Sequence, residues 1–274
     1  MAIAGPPHRE STHLRTYLMC SPDYFTVEYA INPWMSLDHP VNLDLATQQW
    51  KQLKAAYIGI GHTVLTIDPE PGLPDMAFAA NGATVIGGTA LGARFKHPER
   101  HLEGAAYMDW FRDHGYKVID PDCVNEGEGD IIFAGGAIIF GHGFRTEAVA
   151  LHQVEAVFGL PVISVRLVDP RFYHLDTALI VLDEHTAAYY PAAFDEESRQ
   201  ALAAHFAELI EADDDDAETL GLNGVSDGKH VVMPAQAKGL ADKIRAAGFE
   251  VVPVDLSEFM KSGGGPKCCT LELR

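Results

Sequence analysis

The segment GFEVVPVD, residues 248–255, decides the fold. A glycine follows a stretch of helical spacing that carries Leu240 and Ile244, and an extended run then ends at an aspartate. The same order recurs in GHTVLTID (61–68), GYKVID (115–120) and GLPVISVRLVD (159–169). Glycine closes a helix in the left-handed conformation without a Cβ clash, and β-branched residues favour the strand that follows. Upstream, Leu43, Ala46, Trp50, Leu53 and Tyr57 step by three and four. So do Leu102, Ala106 and Trp110, and so do Ala148, Leu151, Val154 and Phe158. Leu202, Phe206 and Ile210 mark a fifth helix without the glycine signature. These stripes are core-facing helix faces. Helix alternating with strand means an α/β protein. No Pro/Ser-rich linker divides it, so the expectation is one domain over 1–274, built of about five similar units, with residues 1–16 as a loose tail.

The residues after each strand carry the chemistry. Asp75 and Asn81 follow the first run, Glu126, Glu128 and Asp130 the second, His174 and Asp176 the third, and SGGGPKCCTLELR (262–274) the last. Ligand sites in α/β folds commonly lie at the carboxyl ends of strands, so like-arranged units bring these groups to one place. A thiol, an imidazole and a carboxylate then form a nucleophile, base and orienter set. Each has a structural alternative: a small core cysteine, one histidine of 13, and polar turns at EGEGD, LPDM and ANG. The alternation in CTLEL predicts a short strand that tucks the chain end into a sheet. EADDDDAE (211–218) reads as a solvated acidic loop.

Composition narrows the partners. The 274-residue chain is 47% hydrophobic and 22% charged, ample for a core. A net charge of −19 argues against nucleic acid or an anionic membrane and suits a cationic small molecule. No apolar run reaches membrane-spanning length, and MAIAGPPHREST (1–12) lacks a signal-peptide core. Four cysteines make no disulfide framework, so a reduced, cytoplasmic protein is expected, its oligomeric state open. HExxH, paired CxxC and GxxxxGK[ST] are missing from the sequence, which leaves zinc and a nucleotide loop unsupported.

LPDMAFAAN (73–81), EGEGD (126–130), FGHGFRT (140–146), HLD (174–176) and GGGPKCCTL (263–271) resemble, in order and spacing, the guanidine-modifying enzymes. That group holds dimethylargininases, arginine deiminases, arginine dihydrolases and amidinotransferases. The opening MCSPDYFTVEYAINPWM (19–35) looks most like bacterial arginine dihydrolases and their dimethylargininase-like relatives. The resemblance, from about Tyr17 onward, implies the pentein fold: a five-bladed, pseudo-fivefold α/β propeller of ββαβ-type units with the site on its axis. It also implies covalent catalysis at a guanidinium carbon, without metal or cofactor. By the same likeness Cys268 is the nucleophile, with Cys269 its structural neighbour, and His174 the general acid/base. Glu126 is the acid, with Glu128 in reserve because EGEGD is one residue longer than the usual motif. Asp75 binds substrate, Arg94 and Arg145 hold its carboxylate, and Asn32 lines the pocket. Asn81 stands where deiminases carry aspartate; an amide donates as well as accepts and suits a neutral ureido group. The implied reaction is arginine dihydrolysis to ornithine, carbon dioxide and ammonia. The alternatives are a dimethylargininase or deiminase giving citrulline, an amidinotransferase, and a binding protein without activity.

Overall fold

In the computed structural model, which describes residues 14–274, the chain forms five three-stranded sheets. The first thirteen residues of the expected tail lie outside the described residues, and its expected end is too late, because Thr16 already opens a strand.

The first unit joins β1 (Thr16–Cys20) to β2 (Thr63–Ile67) through α1 (Leu43–Gly59). The second contains β3 (Ala83–Ile86), β4 (Thr89–Gly92), α2 (His101–Asp113) and β5 (Lys117–Ile119). The third contains β6 (Ile131–Ala134), β7 (Ala137–His142), α3 (Ala150–Phe158) and β8 (Val162–Arg166). The fourth contains β9 (Leu179–Val181), β10 (Thr186–Tyr189), α4 (Glu196–His205) and β11 (Glu208–Glu211). After α5 (Asp214–Ala217) the fifth follows as β12 (Val225–Ser226), β13 (His230–Pro234), α6 (Lys238–Ala246) and β14 (Glu250–Val254). Then α7 (Ser257–Met260) leads to β15 (Leu271–Glu272). In the second to fifth units a hairpin-like antiparallel pair is followed by a helical crossover to a parallel third strand. The first unit takes its antiparallel strand from the chain end: β15 pairs with β1 through Tyr17↔Glu272 and Leu18↔Leu271. This is the five-unit α/β ring of the pentein fold.

Local chemistry explains the elements. Asn42 caps α1 by accepting from Leu45 N at 3.1 Å, and Ala46, Trp50, Leu53 and Tyr57 bury one face. Gly61, Gly115, Gly159 and Gly248 all take positive φ where their helices end. Two helix readings need correction. In α2 the buried face is Glu103, Gly104, Tyr107 and Phe111, while Leu102 is exposed; the expected stripe is out of phase by one position. The fifth helix stops at His205, and Ile210 lies in β11. Asp195 caps α4 through Ser198 N, and the chain is already extended at Phe206. The acidic run is not wholly solvated either: Asp216 is buried against the start of α6, where a Cβ on Gly239 would meet its carboxylate at 2.7 Å.

Candidate active site

Short turns just ahead of the first strand of successive units, Ala79–Gly82, Gly127–Gly129 and Leu175–Thr177, bring the expected residues together. His174 Nε2 lies 2.7 Å from Glu126 Oε2, and both residues are buried. Arg145 Nη1 donates to the same oxygen at 2.9 Å, and Lys96 N donates to Glu126 Oε1 at 3.1 Å. Burial alone would raise the Glu126 carboxyl. Arg145, the His174 hydrogen bond and the charges of His174 and Arg100 outweigh that and hold it far below the usual carboxylate range. An ionised Glu126 fixes the Nε2–H tautomer of His174. His174 Nδ1 is left buried without a hydrogen-bond partner.

Cys268 meets the turn that bears His174 and Asp176. Its thiol donates to Asp176 Oδ2 at 3.3 Å, and Asp176 stands two residues beyond His174. Burial first, and then the charge of Asp176, push the thiol well above its ordinary value. Burial likewise raises the Asp176 carboxyl to about 6, against the lowering effects of His174 and Lys267. Cys269 is fully buried and packs in a cluster with Tyr17 and Tyr57.

EGEGD places its two acids in opposite directions. Glu126 faces His174, whereas Glu128 pairs with Lys267 Nζ at 2.6 Å and Arg274 Nη1 at 3.1 Å. Lys267 and Arg274 line a separate cavity of about 580 Å³ at the hairpin end of the ring, beside Gly135, Asp183 and Asp227. The glycines between the acids are required by space. A Cβ on Gly129 would sit 2.5 Å from Asn81 Nδ2 and 3.2 Å from the His174 ring, and one on Gly127, itself at positive φ, would meet Ala80 O at 2.7 Å.

The substrate-binding expectations divide. Asp75 is buried and accepts from Tyr29 Oη (2.9 Å) and Ser262 Oγ (3.1 Å). Asn32 donates to Ser262 O at 3.0 Å. Arg145 is buried, stacks over Tyr173 and donates to Ile31 O at 3.0 Å. A strap over roughly 24–35 thus lies across the site, with Trp34 Nε1 donating to Arg171 O at 2.7 Å. Arg94 does not join. It is exposed and reaches Asp122 O at 3.4 Å, because side chains alternate after β4 and leave Ala93 and Phe95 inward and Arg94 outward. Arg100 is the arginine that arrives instead. It donates bidentately to Glu103 (3.0 and 2.8 Å), to Asn81 Oδ1 (2.9 Å) and to Asp75 O (3.3 Å). Its bond orients the Asn81 amide, whose Nδ2 turns to Glu126 O at 3.3 Å. The Arg100–Glu103 spacing was visible as an i,i+3 pair, but the phase error on α2 hid it. Asn223 was missed as well. It donates to Cys268 Sγ at 3.1 Å from LNG (222–224), the counterpart in the fifth unit of ANG (80–82).

The chain is similar to proteins of known family and fold. A model of the family described as eukaryotic N,N-dimethylarginine dimethylhydrolase matches residues 22–274. The N(G),N(G)-dimethylarginine dimethylaminohydrolase of Mycobacterium tuberculosis is 49% identical over 272 residues, 99% of this chain and 90% of that protein. The bifunctional arginine dihydrolase/ornithine cyclodeaminase ArgZ of Synechocystis sp. is 36% identical over 93% of this chain, which spans 37% of that protein. The product-bound crystal structure of the N-terminal domain of ArgZ superposes with a TM-score of 0.90 at 33% identity, covering 96% of this chain and 98% of that domain. A crystal structure of a dimethylarginine dimethylaminohydrolase adduct with S-methyl-L-thiocitrulline matches with a TM-score of 0.82 at 22% identity, covering 95% of this chain and 100% of that one, and shares the fold.

Proposed function

The chain belongs to the dimethylarginine dimethylaminohydrolase family of pentein guanidine-modifying enzymes, and we propose that it hydrolyses N-methylated arginine to citrulline and the methylamine. That it is an amidinohydrolase follows from the family. The choice of methylarginine over arginine rests on the 49% identity to the mycobacterial dimethylaminohydrolase, against 36% to ArgZ. The observation that carries the chemistry is a buried imidazole–carboxylate pair with a buried thiol bonded to Asp176, two residues along the chain from that imidazole.

In this mechanism Arg145 pairs with the substrate carboxylate, helped by Arg100 in place of Arg94, and Asp75 meets the α-amino group. Glu126 faces the guanidinium. The bound cation and the proton-accepting Nδ1 of His174 favour the Cys268 thiolate, which attacks the guanidinium carbon and forms a C–S bond. His174 then protonates dimethylamine as its C–N bond breaks, leaving a thiouronium. Water, deprotonated by His174, attacks that carbon; the C–S bond breaks, and citrulline and thiolate are released.

A second reading, arginine dihydrolysis, is favoured by Asn81. Arg100 fixes its Oδ1 and so turns an amide N–H toward the Glu126 side of the site, where a carboxylate would repel a ureido oxygen. Purified protein incubated separately with dimethylarginine and arginine, with citrulline, dimethylamine, ammonia and ornithine resolved, decides between them. Citrulline with stoichiometric dimethylamine is the expected result. Ornithine from arginine would replace the proposal with the second reading.

A further inference from the structure

Asn223 is fully buried and uses its whole amide. Nδ2 donates to Asp176 O at 2.9 Å and to Cys268 Sγ at 3.1 Å, while Oδ1 accepts from Gly265 N at 2.9 Å and Cys268 N at 3.0 Å. Its carbonyl also accepts from Lys267 N at 3.3 Å. One side chain of the fifth unit therefore ties the turn bearing His174 and Asp176 to the Gly265–Cys268 turn bearing the sulfur. Gly265 permits this, since a Cβ there would stand 3.0 Å from Asn223 Oδ1.

We propose that Asn223 is the positioning residue of the nucleophile: it fixes the Cys268 turn and supplies a side-chain hydrogen bond that favours the thiolate, opposing Asp176. The inference rests on Cys268 being the nucleophile of the proposed reaction. The thiol sits between an acceptor and a donor. Asp176 Oδ2 takes its proton, and Asn223 Nδ2 donates to the sulfur lone pair. A donor stabilises S⁻ more than S–H, so Asn223 shifts the balance toward ionisation, whereas Asp176 shifts it back. The other groups around the sulfur are Cys269 and Tyr173, with Lys267 committed to Glu128 and His174 to Glu126. Aligned sulfur is also what attack on a planar carbon requires.

Asn223→Asp separates the two tasks, because one oxygen still accepts from Gly265 and Cys268 while the other presents an acceptor where Nδ2 donated. The test is the rate of iodoacetamide alkylation at Cys268 against pH, read by peptide fragmentation that separates it from Cys269. It is run on the wild type, Asn223→Asp and Asn223→Ser, with thermal unfolding as the check of fold. The expected result is an upward shift of the pH midpoint by about one unit or more, with alkylation at pH 7.5 slowed about tenfold. In turnover, kcat falls and KM stays within about threefold of wild type. A folded Asn223→Asp with the wild-type pH midpoint overturns the proposal, and if that variant does not fold, the same result in Asn223→Ser does. Alkylation needs no substrate. A protein that shows the shift yet releases no dimethylamine would therefore count against the proposed substrate, not against Asn223.

Discussion

At the scale of the residue, the two glutamates of EGEGD make opposite predictions. Glu126→Gln removes the charge that holds the His174 tautomer, so kcat should fall by about 10²-fold or more with the fold intact. Glu128→Gln leaves Lys267 and Arg274 without a buried counter-charge, and urea titration should show a loss of about 3 kcal/mol with kcat of the folded fraction retained. Asp176 supplies a pH signature. Its folded carboxyl is raised from 3.8 to about 6, so the neutral form is favoured in the fold. That contribution is complete below 3.8 and is lost as pH rises through about 6, which leaves a cost of up to ~3 kcal/mol at pH 8. Asp176→Asn should therefore be more stable than wild type at pH 8, with the difference gone near pH 4 in paired urea titrations. A constant difference across that range would contradict the assigned shift. Arg94, exposed and bonded to a main-chain oxygen, should tolerate alanine with KM within about twofold, whereas Arg145→Ala should raise KM at least tenfold.

At the scale of the element, what was legible in the sequence follows from how local each signal is. Glycine at a helix end and a β-branched run after it are determined by neighbours in sequence, and four units declared themselves that way. The fourth unit in chain order did not, because α4 passes into β11 through Phe206 without a left-handed residue, and LNG follows the strand of that unsignalled unit. Asn223 was lost for that reason. The face of α2 was misjudged because periodicity assigns burial by hydrophobicity, whereas Glu103 is buried by its bidentate pairing with Arg100, a contact no hydrophobic pattern encodes. Cys268, His174 and Glu126 were named from motif order; the 2.7 Å approach of His174 to Glu126 came from the ring. The turns themselves are testable. Gly129→Ala forces a methyl into the Asn81 amide and against the His174 ring, both on backbone turns that cannot recede independently. Turnover should drop at least 10²-fold, and a crystal structure of the variant should show the His174 ring displaced from Glu126.

At the scale of the whole molecule, charge and product chemistry work in the same direction. The chain carries a net charge of −19, while the proposed methylarginine substrate carries one net positive charge and the proposed product, citrulline, none. The field that draws the cation inward therefore gives no hold on the neutral product. Long-range attraction acts on encounter, so it belongs to kcat/KM and not to the chemical step. Screening sets its reach, which falls from about 30 Å at 0.01 M salt to about 8 Å at 0.15 M, less than the width of a ring of this size. Raising salt across that interval should lower kcat/KM for dimethylarginine several-fold while kcat holds, because the contacts of Arg145, Asp75 and Glu126 are buried and weakly screened. A net-neutral thiol reagent such as iodoacetamide should alkylate Cys268 at a rate indifferent to salt over the same range, and parallel losses for both would place the salt effect in the site instead of in the field around it.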